Sequence, residues 1–206
     1  MNVFRSLDEL LKRRDGGITA HPFALLTGAV LCYLLYGLAS GFFQGGWSIA
    51  LATWKIPLIV VASLALCLPS LYVFSGLAGA ELSPRAFATT VAGFAGITGL
   101  ILLALMPVIW LFSVSTLSLV FVVWLHLFVW IVALFFGRQF LVRAAGAARA
   151  TMGLWLLLLF LVSLQMTTYV RPVLWRSADE PLFATAKQSF FMHWISVVDW
   201  KEPKKP

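Results

Sequence analysis

Polar and charged positions along this chain punctuate long apolar stretches instead of alternating with apolar ones. Residues 86–137 contain no Asp, Glu, Lys or Arg at all. A bilayer's hydrocarbon core is crossed by roughly 20 apolar helical residues, so this stretch has room for two crossings and a turn. Five apolar runs bounded by charge or turn residues emerge, at 23–43, 56–77, 86–112, 117–137 and 150–170. Gln44, Gly45 and Gly46 weaken the first, while Glu81, Ser83 and Pro84 close the second, with Pro84 placed to start the third. The cluster Ser113, Ser115, Thr116 and Ser118 turns the chain between the third and fourth runs, which predicts an antiparallel hairpin. Pro69 and Pro107 fall inside helices, where each removes a backbone hydrogen bond and favours a kink.

The predicted fold class is therefore an all-α integral membrane protein, a five-transmembrane-helix bundle across residues 21–170. An amphipathic interfacial helix is expected at either end. In residues 1–20, Val3, Phe4, Leu7, Leu10 and Leu11 recur at helical spacing, opposite Arg5, Asp8, Glu9, Lys12 and Arg13. The run Lys12, Arg13, Arg14 is placed to touch lipid phosphates or a partner. In residues 171–206, Phe190, Trp194 and Val198 share a helix face, with Trp200 close by, and predict an aromatic segment lying on the membrane surface or receiving a partner. The first apolar run is longer than a cleavable signal and reads as a retained anchor.

Composition agrees, with 61% hydrophobic and 11% charged residues, where soluble domains carry about 25% charged residues. The formal net charge of +7 points to anionic phospholipids and loop bias rather than nucleic acid. Arg5, Lys12, Arg13, Arg14, Arg85, Arg138, Arg143 and Arg149 fall on one side of the five spans. Lys55, Arg171, Arg176 and Lys187 lie near the membrane on the other. The bias predicts a cytoplasmic N-terminus and, with five crossings, a periplasmic C-terminus in a bacterial inner membrane.

Candidate chemistry is sparse. His126 is the one acid or base within the apolar runs and is expected near the middle of the fourth; it is read either as a packed, hydrogen-bonded ring or as a haem ligand. Cys32 and Cys67 lie in apolar runs and read as small hydrophobes. Thr89, Thr90, Gln165 and Thr167 are candidates for hydrogen bonds between helices. Ala92 with Gly96, and Ala95 with Gly99, form two small-residue pairs that let helix backbones approach, marking the third helix as the best packed. Arg138, Arg143 and Arg149 are expected in one cytoplasmic loop, available to lipid phosphates or an acidic partner. No phosphate-binding glycine loop, zinc-ligand spacing, nucleophile elbow or carboxylate pair is present. No metal site or catalytic residue is predicted.

The stretch Cys67-Leu-Pro-Ser-Leu-Tyr-Val-Phe74, followed by Leu82-Ser-Pro84, resembles bacterial five-helix membrane proteins grouped with the Yip-like superfamily. The resemblance spans residues 21–170 and implies a non-enzymatic membrane protein. The acidic and Tyr-Gly motifs of the eukaryotic members are missing, so their partnership with small GTPases is not implied. The expectation is a non-catalytic membrane subunit or scaffold that binds other membrane protein subunits and lipids. The alternatives are a transport or channel component and a haem- or quinone-binding redox subunit.

Overall fold

The computed structural model describes residues 21–43, 46–77, 79, 83–145 and 149–169. They form five α-helices: α1 Pro22–Gly41, α2 Ser48–Leu77, α3 Pro84–Ser115, α4 Leu119–Ala145 and α5 Arg149–Tyr169. The helices α1 to α4 are each long and apolar enough to cross a membrane, and the apolar part of α5, Thr151–Thr167, is shorter. The described residues form an all-helical fold of the membrane-protein kind. The two terminal amphipathic segments expected from the sequence lie outside the described residues.

Apolar composition explains the helices, because in lipid the backbone amides and carbonyls must satisfy each other within one segment. The hydroxyls follow the same economy. Those of Thr27, Thr53, Thr89, Thr90 and Ser115 each donate to the carbonyl four residues earlier, at 2.7–2.9 Å. Thr89 and Thr90 thus bond within α3, and Thr167 donates to Leu164 within α5. The expected hydrogen bonds between helices are not made by these hydroxyls. Pro84 starts α3 as expected, preceded by Ser83, whose side chain accepts from the Ala86 amide.

Three helix boundaries differ from the sequence reading. The third helix runs on through Ser113 to Ser115, so only residues 116–118 turn the chain. The other two involve charged residues or glycine. The second helix begins at Ser48, not Ile56, and takes Lys55 and Pro57 into its length. The fourth continues past Gly137 through Arg138 and Arg143 to Ala145. Both expected boundaries used a charged residue or glycine as a stop, yet long cationic side chains near a helix end can lie along its surface and reach water. Gly137 is needed for packing rather than for a turn: a Cβ there would stand 2.6 Å from the Phe94 ring and 2.7 Å from the Thr98 methyl.

Each helix has two main neighbours. α1 packs on α2 and α3, α3 also on α4, α2 also on α5, and a slimmer α4–α5 contact closes the set. The order around the bundle is α1, α3, α4, α5, α2. Leu25 clusters with Ala92, and Gly99 abuts Ala29 and Cys32, so α1 and α3 run in the same direction. α2 returns antiparallel to α1, its first turns lying against Gly37 and Gly41. Phe112 and Phe121 meet at 5.2 Å beside the turn joining α3 to α4.

Candidate functional site

The interior of this ring holds a cluster of aromatic and polar side chains carried by α1, α3 and α4. Tyr33 and Tyr36, one turn apart on α1, are both fully buried. The Trp130 ring of α4 stacks on Tyr33 at 6.3 Å and meets Tyr36 edge-on at 6.2 Å. His126, one turn earlier on α4, meets Tyr36 edge-on at 5.8 Å. Such pairings match the electrostatics of aromatic faces and edges.

The Tyr33 hydroxyl donates to the Ala95 carbonyl at 2.9 Å and lies 2.6 Å from Thr98 Oγ1. This hydrogen bond joins α1 to α3. It sits beside Gly99, where a Cβ would come within 3.2 Å of Cys32 Cβ and 3.3 Å of the Ala29 carbonyl oxygen. Ala92, Ala95, Gly96 and Gly99 are all buried, and at Gly99 the neighbour is α1 of the same chain.

His126 lies seven residues into the 27-residue α4, about 10 Å from its start, rather than at its middle. Its Nδ1 is 2.8 Å from the Val122 carbonyl oxygen. A carbonyl only accepts, so Nδ1 carries the proton and Nε2 of the neutral ring presents a lone pair. That Nε2 is buried without a hydrogen-bond partner, as is the hydroxyl of Tyr36. The ring that the sequence offered as packed or ligating is therefore anchored at one nitrogen and open at the other. Among the described residues, no group of three His, Cys, Asp or Glu side chains gathers to hold a metal ion.

A second set of contacts ties α5 to the bundle. Trp155, almost fully buried, donates from Nε1 to the Cys67 carbonyl of α2 at 3.2 Å and meets the Phe94 ring of α3 at 5.9 Å. Cys32 and Cys67 are free and buried. Neither Tyr33 nor Trp155 was singled out by sequence reasoning, since a lone aromatic in an apolar run carries no periodic signal. Gly37 and Gly41 were also passed over, although their four-residue spacing is the small-residue signal noticed on α3. A Cβ at Gly37 would stand 2.8 Å from the Ala52 carbonyl oxygen, and one at Gly41 would stand 2.7 Å from Ile49 Cα.

Arg138 and Arg143 are helical and five residues apart on α4, so they point about 140° from one another around its axis. The expected single loop of three arginines is not formed. Arg143 is exposed, whereas Arg138 is half-buried, with Nε 3.6 Å from where a Cβ of Gly153 on α5 would be. Arg149 is the first residue of α5. Lys12, Arg13, Arg14, Phe190, Trp194 and Trp200 lie outside the described residues. Compared with protein-family models, curated proteins and solved structures, the chain matches none.

Proposed function

We propose that the chain is a non-catalytic, multi-pass membrane subunit or scaffold that crosses a bacterial cytoplasmic membrane five times and binds partner membrane proteins and anionic phospholipids. Its N-terminus is cytoplasmic and its C-terminus periplasmic. The observation that carries this reading is the filled centre of the bundle: Tyr33, Tyr36 and Trp130 meet in one set of ring contacts and Phe94 and Trp155 in another, while Tyr33 and Trp155 donate to the backbone of neighbouring helices at Ala95 and Cys67. A centre packed this way favours a structural role over a path for solutes. The Yip-like resemblance, which implies a non-enzymatic protein, leans the same way. Mild-detergent purification at native expression, followed by cross-linking and mass spectrometry, is expected to recover a stoichiometric membrane partner. A chain that purifies alone from such membranes would overturn the reading.

One observation favours the redox alternative, namely the buried, unpartnered Nε2 of His126 beside the unpartnered Tyr36 hydroxyl. An imidazole whose Nδ1–H is fixed on a backbone carbonyl is oriented for ligation through Nε2. On that reading the purified protein shows a Soret band that His126→Ala removes, and on the scaffold reading it is colourless.

A further inference from the structure

We propose that residues 183–200 of this chain fold back onto the α3–α4 hairpin, whose tip projects beyond the other helices. The projection follows from the contacts that set the heights of the helices. Gly99 of α3 abuts Ala29 and Cys32 of α1, and Leu25 clusters with Ala92. Gly41, the last residue of α1, therefore stands level with about residue 108 of α3. Gly41 also lies against Ile49, so α2 begins at nearly the same height. Trp155 of α5 meets Phe94 of α3, and α5, running parallel to α3, ends at Tyr169 close to that height too. α3 continues to Ser115 and α4 starts at Leu119. The hairpin thus rises about 5–10 Å, one to two helical turns, above the helical ends of α1, α2 and α5.

The projecting part carries hydroxyls but no charge, and much of its outer surface is apolar. A hydrocarbon core about 30 Å thick is spanned by about 20 helical residues, the length of α1. Aligned with α1, that core has Arg85 beyond one edge and Arg143 and Arg149 close to it, and the turn between α3 and α4 stands beyond the other. Yet just below this turn Leu111, Val114 and Trp124 are 54%, 53% and 54% exposed, with Phe121 exposed beside them. Contiguous apolar surface outside the hydrocarbon marks a place that another surface covers. Residues 170–206 follow Tyr169 at the same end of the bundle, and α5 neighbours α4. Residues 170–182 reach about 45 Å when extended, several times the roughly 10 Å between neighbouring helix axes. Beyond them Phe190, Trp194 and Val198 recur at helical spacing, with Phe191, Ile195 and Trp200 among them. That stripe needs cover as the hairpin does. The tether holds it there at an effective concentration on the order of millimolar, which favours this segment over a separate chain. The seat is Leu111, Val114, Phe121 and Trp124, and Leu117 at the tip stays uncovered.

Distances between paired nitroxides on the full chain test the docking. Labels are placed at Ser115→Cys in the hairpin and Ser189→Cys in the segment, the native Cys32 and Cys67 being buried. In phosphatidylcholine–phosphatidylglycerol vesicles the pair is expected to give one narrow distribution at about 10–25 Å, one to two helix diameters. A large excess of unlabelled chain is expected to leave it unchanged. Trp194→Ser in the segment and Trp124→Ser in the hairpin are each expected to lengthen and broaden it, and Leu111→Ser serves in place of Trp124→Ser if that variant does not fold. A long or broad distribution in the chain without these serine substitutions overturns the proposal. So does a short distance that excess unlabelled chain removes, which would put the segment of a second copy on the hairpin. A short distance that Trp194→Ser abolishes but neither hairpin substitution changes also overturns it, because the segment would then lie on lipid.

Discussion

Tyr33 and Tyr36 are both fully buried on α1, yet their hydroxyls are in opposite situations. Tyr33 donates to Ala95 and touches Thr98, whereas the Tyr36 hydroxyl has no partner. The same substitution should therefore act in opposite directions. Tyr33→Phe removes one hydrogen bond between helices and is expected to lower unfolding free energy in mixed micelles by about 1 kcal/mol. Tyr36→Phe removes a buried hydroxyl that bonds nothing, so stability is expected to stay level or rise by up to about 1 kcal/mol. A clear loss at Tyr36→Phe would mean that a bound molecule holds this hydroxyl, and would strengthen the ligand reading of His126. Trp155 combines a hydrogen bond with a large packed ring. Trp155→Ala is expected to cost about 3–5 kcal/mol, and Trp155→Phe markedly less, in the same titration. None of these roles was legible in the sequence. Leu25 is fully buried while Leu26 faces outward, yet both are leucine, because lipid and protein interior reward the same side chains.

At the scale of helices, backbone proximity decides more than side-chain bulk. Gly37 and Gly41 bring α1 against the backbone of α2 at Ala52, Thr53 and Ile49. A methyl group has no flexible neighbour to displace there, so the helices themselves must separate. Gly37→Ala and Gly41→Ala are each expected to destabilise by about 1–3 kcal/mol, the usual cost of overpacking. Gly76, in the last turn of α2, has open space around it. Gly76→Ala should stabilise by about 0.5–1 kcal/mol through helix propensity. If all three substitutions behaved alike in thermal unfolding in detergent, close approach would not be what holds α1 to α2. Among the described residues, the five helices and their order, the Pro84 start and a turn at Thr116 and Ser118 were legible, because apolar run length and capping chemistry are local; Ser113 and Ser115, read as part of that turn, are helical. The ends at Ser48 and Ala145 were not, because Lys55 and Arg138 were read as stops although both lie within helices.

For the whole molecule, the order of helices around the bundle could not be read from a chain that is apolar on both its inner and outer faces. Helical periodicity needs a polar side to stand against. What remains legible at this scale is the distribution of charge, and the structure gives it geometry. Among the described residues, Arg85, Arg138, Arg143 and Arg149 all lie towards the end of the bundle opposite Trp54, Trp110 and Trp124, while Lys55 stands beside Trp54. Short segments rich in arginine resist translocation, and the orientation proposed above accordingly has the arginine end in the cytoplasm and the tryptophan end in the periplasm. Single cysteines make this testable, since the native Cys32 and Cys67 are buried. Leu117 is 78% exposed in the turn between α3 and α4, and Leu77 is 79% exposed at the end of α2. With a membrane-impermeant maleimide, Leu117→Cys should label in cells whose outer membrane has been permeabilised. Leu77→Cys and Arg143→Cys should label only after the inner membrane is opened. The reverse pattern would invert the orientation while leaving the fold intact. Labelling of Leu117→Cys and Leu77→Cys from the same side would break the fold reading itself, because α3 alone separates those two positions and would then not cross.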